Sequence, residues 1–591
     1  MTPGTPDPSL FLFNARTQRW LSFEQPELIC EARRLDEVLP ALQRIEHETE
    51  HRGRWAAGFI AYEAAPAFDP SLIVRPPDPS LPLLWFGIYP KPRETDRPAN
   101  VDHPLVENPD WQPTVEDASY AQAIRRIKEH IRQGDTYQIN YTLRLRAPFT
   151  QPARALFSSL LEAQETPYGA FVETADWALC SASPELFFDW DGNRLASQPM
   201  KGTQSRGLWP AEDRRLASML ASSEKDRAEH VMIVDMVRND LGRIAQTGSV
   251  EVANPFAIEP YPTLWQMTSR VECNTRAGFL DILRALFPAA SITGAPKTSA
   301  MALISKLETT PRGIYTGAIG FVAPGRRAQF NVAIRTVRVD RKTGLAEYGT
   351  GGGIVWDSTA ASELEECRAK ARILTRPWPA FCLLETLLWN PGGGLYLLER
   401  HLDRIAESAA FFNFHMNRDA LRHDLEKAVV GLPSKPHRIR LILSKSGVPE
   451  LEITPLQALP TSYRVTLAAE PIDTADPFLY HKTTRRSVYE EARKLAGASC
   501  DDVLLWNRRN EITESTLANV MVEQDGIWYT PPVSCGLLDG VYRAHLLEQG
   551  RLRERVIRRE ELSAGLRIRL FNSVRKEWDV VLAPTVPRLA S

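Results

Sequence analysis

The sequence has almost no surplus charge of either sign. Its 71 Lys and Arg against 73 Asp and Glu leave a formal net charge of −2, too little for the electrostatic footprint of a nucleic-acid binder. No run of about 18 apolar residues is present to span a bilayer. The opening MTPGTPDPSLFLFN has no basic n-region, no long apolar stretch and no small-residue cleavage site, so it predicts no signal peptide. Cysteine is scarce: the seven (Cys30, Cys180, Cys273, Cys367, Cys382, Cys500, Cys535) are scattered, odd in number and without a C-x-x-C. That usage predicts reduced thiols in a cytoplasm and argues against zinc. Internal repeats and low-complexity tracts are also missing.

What is present describes a globular chain. A hydrophobic content of 43%, a charged content of 24% and 44 dispersed prolines exclude fibrous and disordered classes. At roughly 100 to 200 residues per domain, the length allows about two to four domains. Small-molecule chemistry is the expectation.

The clearest seam is TRPWPAF, Thr375 to Phe381, where two prolines separate the helical SELEECRAKARIL from the strand-like FCLLETLLW. Upstream, SYAQAIRRIKEHIRQGD predicts a helix from the spacing of Ala123, Ile124, Ile127 and Ile131, with Gly134 as its stop. SSEKDRAEHVMIVDMVRNDLG predicts a second, capped by Ser222 or Ser223, with Val231, Val234, Met236 and Val237 on its core face. TYQINYTLRLRA, WALCSASPELFFDW, GAIGFVA, AQFNVAIRTVRVD and GLAEYGTGGGIVW read as strands. Downstream of the seam strands dominate, with short helices between them. Both halves are α+β.

Two predicted helices carry acid pairs at i, i+3: Asp226 with Glu229, and Glu363 with Glu366. That spacing puts each pair on one helix face. Acids in a first helical turn ordinarily serve the dipole and face water. Four carboxylates around one cleft would instead repel unless a cation joined them, and oxygen-only ligands suit Mg²⁺. Lys201 in SQPMKGT is, by itself, an ordinary solvated turn lysine, and Lys482 in YHKTTRRSVYEEA an ordinary snorkelling one.

Their company changes both readings. SASPELFF, QPMKGT, KDRAEHVMIVDMVRNDLGRI, SITGAPK, GIYTGAIGF, AQFNVAIRT, GTGGGIV and SELEECRAKA, in that order, resemble the chorismate-utilising enzymes: anthranilate synthase component I, aminodeoxychorismate synthase component I, isochorismate synthase and salicylate synthase. The resemblance is strong over residues 115 to 374 and weak before them. It implies an antiparallel α/β sandwich over residues 1–375 with a Mg²⁺-dependent site. Glu229 and Glu366 match its metal ligands, supported through water by Asp226 and Glu363. Lys370 matches a carboxylate-binding lysine. Tyr315 and Arg335 match the grip on the enolpyruvyl carboxylate, where a guanidinium fork suits a planar anion. Gly351, Gly352 and Gly353 would admit a carboxylate to backbone N–H groups. Glu185 matches the general acid for the departing C4 hydroxyl.

The residue before Gly202 and Thr203 separates branches of that family. Anthranilate synthases resemble one another in having alanine there; aminodeoxychorismate synthases have lysine, as here. The resemblance implies that Lys201 attacks C2 of chorismate, leaving C4 for ammonia. Its amine must then be neutral, its pKa brought from about 10.4 to about 7 or 8 at a cost of roughly 4 kcal/mol. Met200 and a closed cleft are the expected source of that desolvation. Two departures stand out: Gln266 in LWQMTS replaces a histidine of many relatives, and the tryptophan-binding L-L-E-S motif of anthranilate synthases is not evident.

ERHLDRIAESA, HKTTRR, NEITESTLANVMV, LLDGVYR and NSVRKEWDV resemble the fold-type IV pyridoxal phosphate enzymes, the branched-chain aminotransferase and aminodeoxychorismate lyase group, over residues 381–591. That resemblance implies a Schiff-base lysine at Lys482, a pyridine partner at Glu514, and a phosphate cup from Arg404, Val541, Tyr542 and Ser573, near Asn572. It leaves room for a homodimer through this domain.

The fusion implies amination of chorismate at C4 followed by loss of pyruvate to give 4-aminobenzoate, a folate precursor. No G-x-C-x-G glutaminase nucleophile surrounds any cysteine, so ammonia is expected from a separate glutamine amidotransferase subunit. Alternatives are an anthranilate or salicylate type synthase fused to an aminotransferase, and a C-terminal domain without catalysis.

Overall fold

In the computed structural model, residues 9–96, 107–164, 166–374, 380–497, 500–563 and 565–583 are described. They form two units, one of Met1–Ser205 and Ala217–Trp378, the other of Arg206–Leu216 and Pro379–Ser591. Residues 375–379 of the proline seam lie outside the described set. Among the described residues no helix is long and apolar enough to cross a membrane, and the seven cysteines are free thiols.

The first unit is built on two ten-stranded sheets, all of whose pairings are antiparallel. Their inner faces meet in an aromatic core that includes Phe23 and Trp177 from one sheet and Phe59 and Trp85 from the other. Helices cover the outer faces. Helix Asp117–Gln133 ends on Gly134 in the left-handed conformation, where glycine carries no Cβ penalty. Helix Glu224–Gly242 is capped by Ser223, whose side chain accepts from the Asp226 N–H. Its buried face is His230, Ile233, Val234, Val237 and Leu241. Val231, expected on that face, is exposed, because it lies one residue, about 100°, around the helix from buried His230.

Two predicted strands each break in two, and the breaks matter. WALCSASPELFFDW divides into Trp177–Ser183 in one sheet and Leu186–Asp191 in the other, with Pro184 and Glu185 at the crossover. AQFNVAIRTVRVD divides into Arg327–Val332 and Thr336–Asp340, again in opposite sheets, and Arg335 at that crossover has φ of 49°. Glu185 and Arg335 thus stand where the chain passes between the layers.

The second unit has a four-stranded antiparallel sheet that contains Leu383–Asn390, His437–Leu443 and Pro449–Pro455, and an eight-stranded mixed sheet. Its core gathers Val465, Leu504, Ile512, Val520 and Leu570. Trp209 of the Arg206–Leu216 stretch packs 5.3 Å from Tyr480 in this unit, a membership that nothing in its sequence indicates.

Candidate active sites

The first unit holds a pocket of about 270 Å³. The edge strand Met200–Ser205 brings Lys201, Gly202 and Thr203 to it; the two crossovers bring Glu185 and Arg335. Helices Glu224–Gly242 and Ala360–Ala371 bring Asp226 with Glu229, and Glu363 with Glu366 and Lys370. Tyr315 and the strand end Gly351, Gly352 and Gly353 complete the wall.

Backbone close approach explains the glycines. Gly202 has φ of +84°, and a Cβ there would meet Asp226 at 3.2 Å. A Cβ on Gly353 would lie 2.2 Å from Lys201 Nζ and 2.3 Å from Gln138 Nε2. Strand Leu345–Ile354 pairs with Thr336–Asp340 only as far as Tyr348; beyond it, Gly349 to Ile354 pair with Gln138–Pro148 alone.

The electrostatics follow from burial and pairing. Glu185 is buried, and desolvation raises its carboxyl to about 7 although the Ser291 hydroxyl donates to it. Burial lowers the Lys201 amine, aided by the like charge of Lys370 and opposed by Glu229. Glu366 is held below the usual carboxylate range by Lys370, whose Nζ is 2.6 Å away and also donates to the Gly351 carbonyl at 2.8 Å. Burial raises Glu229 and Glu363. Arg335 is buried and its Nη1 has no partner among the described residues, so the site presents an unused donor of the kind that receives a carboxylate.

Four supporting residues, Gln138, Asn140, Arg144 and Ser291, carry no mark in the sequence analysis. Gln138 is wholly buried with neither Nε2 nor Oε1 paired among the described residues. It begins a strand face on which Gln138, Asn140, Thr142 and Arg144 are all polar and all buried, a pattern that could have marked it. Arg144 stacks 4.9 Å from the ring of Tyr315, and Asn140 lines the pocket. Gln266, where relatives have histidine, donates to the Gly202 carbonyl at 2.8 Å and accepts from Thr203 at 3.3 Å. It holds the lysine strand and titrates nothing. Ser291 had no signal beyond its place in SITGAPK.

Among the described residues no three His, Cys, Asp or Glu side chains stand close enough to form a ready metal cage. The pocket's lining holds carboxylates and no histidine or cysteine, which fits Mg²⁺, an ion that keeps several waters and takes one or two protein carboxylates.

The second unit holds a pocket of about 530 Å³ that brings together Lys482, Glu514, Arg404, Val541, Tyr542 and Ser573. Burial, with Arg404 and Arg486 nearby, lowers the Lys482 amine to about 8. Burial raises Glu514 to about 7 against hydrogen bonds from the Tyr489 hydroxyl at 2.8 Å and the Leu538 N–H at 3.3 Å. Val541 and Tyr542 open helix Val541–Glu548, whose first N–H groups are of the type that accept a phosphate. Arg404 donates to the buried Glu385 through Nε at 2.8 Å and Nη2 at 2.7 Å, and His401 Nδ1 lies 2.6 Å from the same carboxylate. Glu385 and His401, unmarked in the sequence reading, orient the arginine. A buried lysine of depressed basicity, a buried carboxyl and an anion cup fit pyridoxal phosphate.

The family described as chorismate binding enzyme matches residues 8–376, and the one described as amino-transferase class IV matches residues 382–582. Aminodeoxychorismate synthase component 1 of Bacillus subtilis (strain 168) is 40% identical over 266 residues, 45% of this chain and 56% of that protein. An anthranilate synthase component 1 of Haloarcula marismortui is 41% identical over 261 residues, 44% of this chain and 51% of that protein. The chain therefore spans about half the length of these curated relatives. The crystal structure of anthranilate synthase component I from Streptococcus pneumoniae TIGR4 aligns with a TM-score of 0.52 at 24% identity, covering 64% of this chain and 94% of that one, which speaks to fold alone.

Proposed function

This chain belongs to the chorismate-binding enzyme family through residues 8–376, and on that premise we propose that it makes 4-aminobenzoate in two steps, one in each of two domains, 1–375 and 381–591. The observation that carries the reading is the meeting of a partly desolvated lysine, Lys201, with a buried carboxyl of pKa about 7, Glu185, in one pocket. Relatives of both the aminodeoxychorismate and the anthranilate type match at nearly equal identity, so similarity does not separate them. Lysine at 201 favours the former.

In the first step the neutral Lys201 amine forms a bond to C2 of chorismate as the ring double bonds shift and the C4–O bond breaks. Glu185 gives its proton to the departing hydroxyl, which leaves as water. Ammonia then bonds to C4 and the lysine leaves C2, so the amino group ends at C4. Arg335 and Tyr315 hold the enolpyruvyl carboxylate, and Lys370 with the Gly351 to Gly353 edge holds the ring carboxylate. Mg²⁺ would be held by Glu229 and Glu366, with Asp226 and Glu363 acting through water, and would supply positive charge against the ring carboxylate.

In the second step Lys482 removes the C4 proton of 4-amino-4-deoxychorismate, and pyruvate departs as the ring becomes aromatic. Pyridoxal phosphate, held by Lys482, Arg404, Ser573 and the N–H groups of Val541 and Tyr542, would supply the electron sink. Glu514 would face its pyridine nitrogen, whose positive charge favours the ionised carboxylate. Ammonia is assigned to a separate glutamine amidotransferase subunit.

The test is to supply chorismate, Mg²⁺, pyridoxal phosphate and ammonium and to assay products by mass. Formation of 4-aminobenzoate supports the reading; anthranilate alone, or no amination at high ammonium, overturns it.

A further inference from the structure

Gln138 opens strand Gln138–Pro148 wholly buried, and neither end of its amide has a hydrogen-bond partner among the described residues. Further along the same face the polar groups are used. The Thr142 hydroxyl donates to the Glu308 carboxylate at 2.7 Å and accepts from Arg144 Nη1 at 3.0 Å. A buried amide left unpaired works against folding, so stability does not account for a glutamine at this position.

Its surroundings do account for it. Gly353 pairs with Asn140 across the ladder and so lies on the face that Gln138 shares with Asn140. Over that glycine, where a Cβ would stand, Gln138 Nε2 comes within 2.3 Å of the point and Lys201 Nζ within 2.2 Å, so the amide and the amine are neighbours. The acids nearby are engaged elsewhere: Glu366 pairs with Lys370 at 2.6 Å, and Glu229 faces Lys225 at 3.9 Å. No hydrogen bond or ion pair holds the Lys201 amine among the described residues. Gln138 is thus an uncommitted polar group placed beside an uncommitted amine.

A neutral amine has two hydrogens and one lone pair, and a lysine side chain is free to point that lone pair in many directions. An acceptor that takes one N–H restricts the directions left for the lone pair. A half-turn of the Gln138 amide exchanges Nε2 and Oε1 without moving the chain. With Nε2 toward the amine, the amide donates into the lone pair that attack requires; with Oε1 toward it, the amide accepts an N–H and leaves the lone pair open. A carboxylate in the same place would favour the ammonium form, which has no lone pair, whereas the amide carries no charge. We infer that Gln138 is a positioning residue that aims the Lys201 amine at the ring carbon it attacks, through its amide oxygen. This inference rests on the reading of Lys201 as the nucleophile at C2.

The test is the Gln138→Met variant of the full chain, with Gln138→Leu as a second should the first not fold. Both remove the amide and keep most of the side chain's bulk. Because two unpaired polar atoms disappear, the thermal unfolding midpoint is expected to stay level or rise. With chorismate, Mg²⁺ and ammonium, the ratio of 4-amino to 2-amino products should nevertheless fall at least about tenfold, since a misdirected lysine leaves C2 open to ammonia. In a Lys201→Ala background the same substitution should change product ratio and rate by less than about twofold, because Gln138 acts through the amine. A lowered unfolding midpoint with an unchanged product ratio would make Gln138 a structural residue and overturn the inference. A further loss of rate in the Lys201→Ala background would place it on the substrate instead and overturn it equally. Failure of the proposed function looks different: the unmodified chain would then form no 4-amino product at all.

Discussion

Glu385 accepts two hydrogen bonds from Arg404, a residue of the second unit's pocket wall, through Nε at 2.8 Å and Nη2 at 2.7 Å. Burial opposes ionisation of this carboxyl, but Arg404 and His401 outweigh it and hold its pKa well below the usual carboxylate range. The pair fixes the direction of a guanidinium whose remaining donor, Nη1, reaches the Asp539 carbonyl at 3.2 Å. Rigid support of this kind is what a phosphate cup requires.

Replacing that carboxylate should show both roles. Glu385→Gln is expected to cost about 2 to 4 kcal/mol of stability at neutral pH and to weaken cofactor uptake. Because the folded pKa is depressed, the carboxylate's contribution is full above its unfolded value, 4.5, begins to shrink below it, and is lost only as pH falls through the much lower folded value. Denaturant titrations at pH 7 and pH 4 check this; a deficit that does not shrink at the lower pH would contradict it.

Lys201→Ala leaves C2 of chorismate open to ammonia. The product mixture should shift from the 4-amino to the 2-amino series, with anthranilate appearing and 4-aminobenzoate falling at least about a hundredfold, a loss of the size expected when a nucleophile is removed. Mass spectrometry of ammonium-driven reactions decides it. An undiminished yield of 4-aminobenzoate would refute the C2-blocking role.

Glu185 should impose a descending limb on the pH profile. A general acid must be protonated, so kcat/KM for the first step at a fixed concentration of free ammonia is expected to fall as pH rises through about 7. The Ser291 hydroxyl donates to this carboxylate and so favours the ionised form. Ser291→Ala should therefore move the limb to higher pH. A limb that stays in place, or moves down, would remove Ser291 from this role.

A methyl group at Gly353 would stand 2.2 Å from Lys201 Nζ and 2.3 Å from Gln138 Nε2, so the ends of both side chains must move to admit it. Gly353→Ala should displace the amine and abolish the first step while leaving conversion of supplied 4-amino-4-deoxychorismate unchanged, since that chemistry is assigned to the other pocket. Separate assays of the two steps check the prediction. Retained amination would show that the Lys201 amine need not occupy its observed position.

Much of the first pocket was legible because its residues sit in local patterns. The pairs Asp226 with Glu229 and Glu363 with Glu366 follow from helical spacing, and Lys201 from the short motif around Gly202 and Thr203. Gln138 had a signal in the alternating polar face it begins, but Ser291 and Glu385 were not legible. Ser291 lies 106 residues from Glu185 and Glu385 lies 19 from Arg404, and no periodicity connects members of such pairs. Gln266 looked like a loss of chemistry; in the structure it is the clamp on the Gly202 carbonyl.

The sequence by itself determined which residue types were present, which helix faces carried acids and where glycines thinned a strand, because these depend on neighbours within one or two turns. Tertiary structure decided the state of each group. The two strand breaks that carry Glu185 and Arg335 between sheets, and the burial that raises the carboxyls of Glu185 and Glu514 and lowers the amines of Lys201 and Lys482, come from surfaces distant in sequence. Desolvation and Coulomb interaction act through space, so SQPMKGT could show a lysine but only the folded pocket sets its basicity.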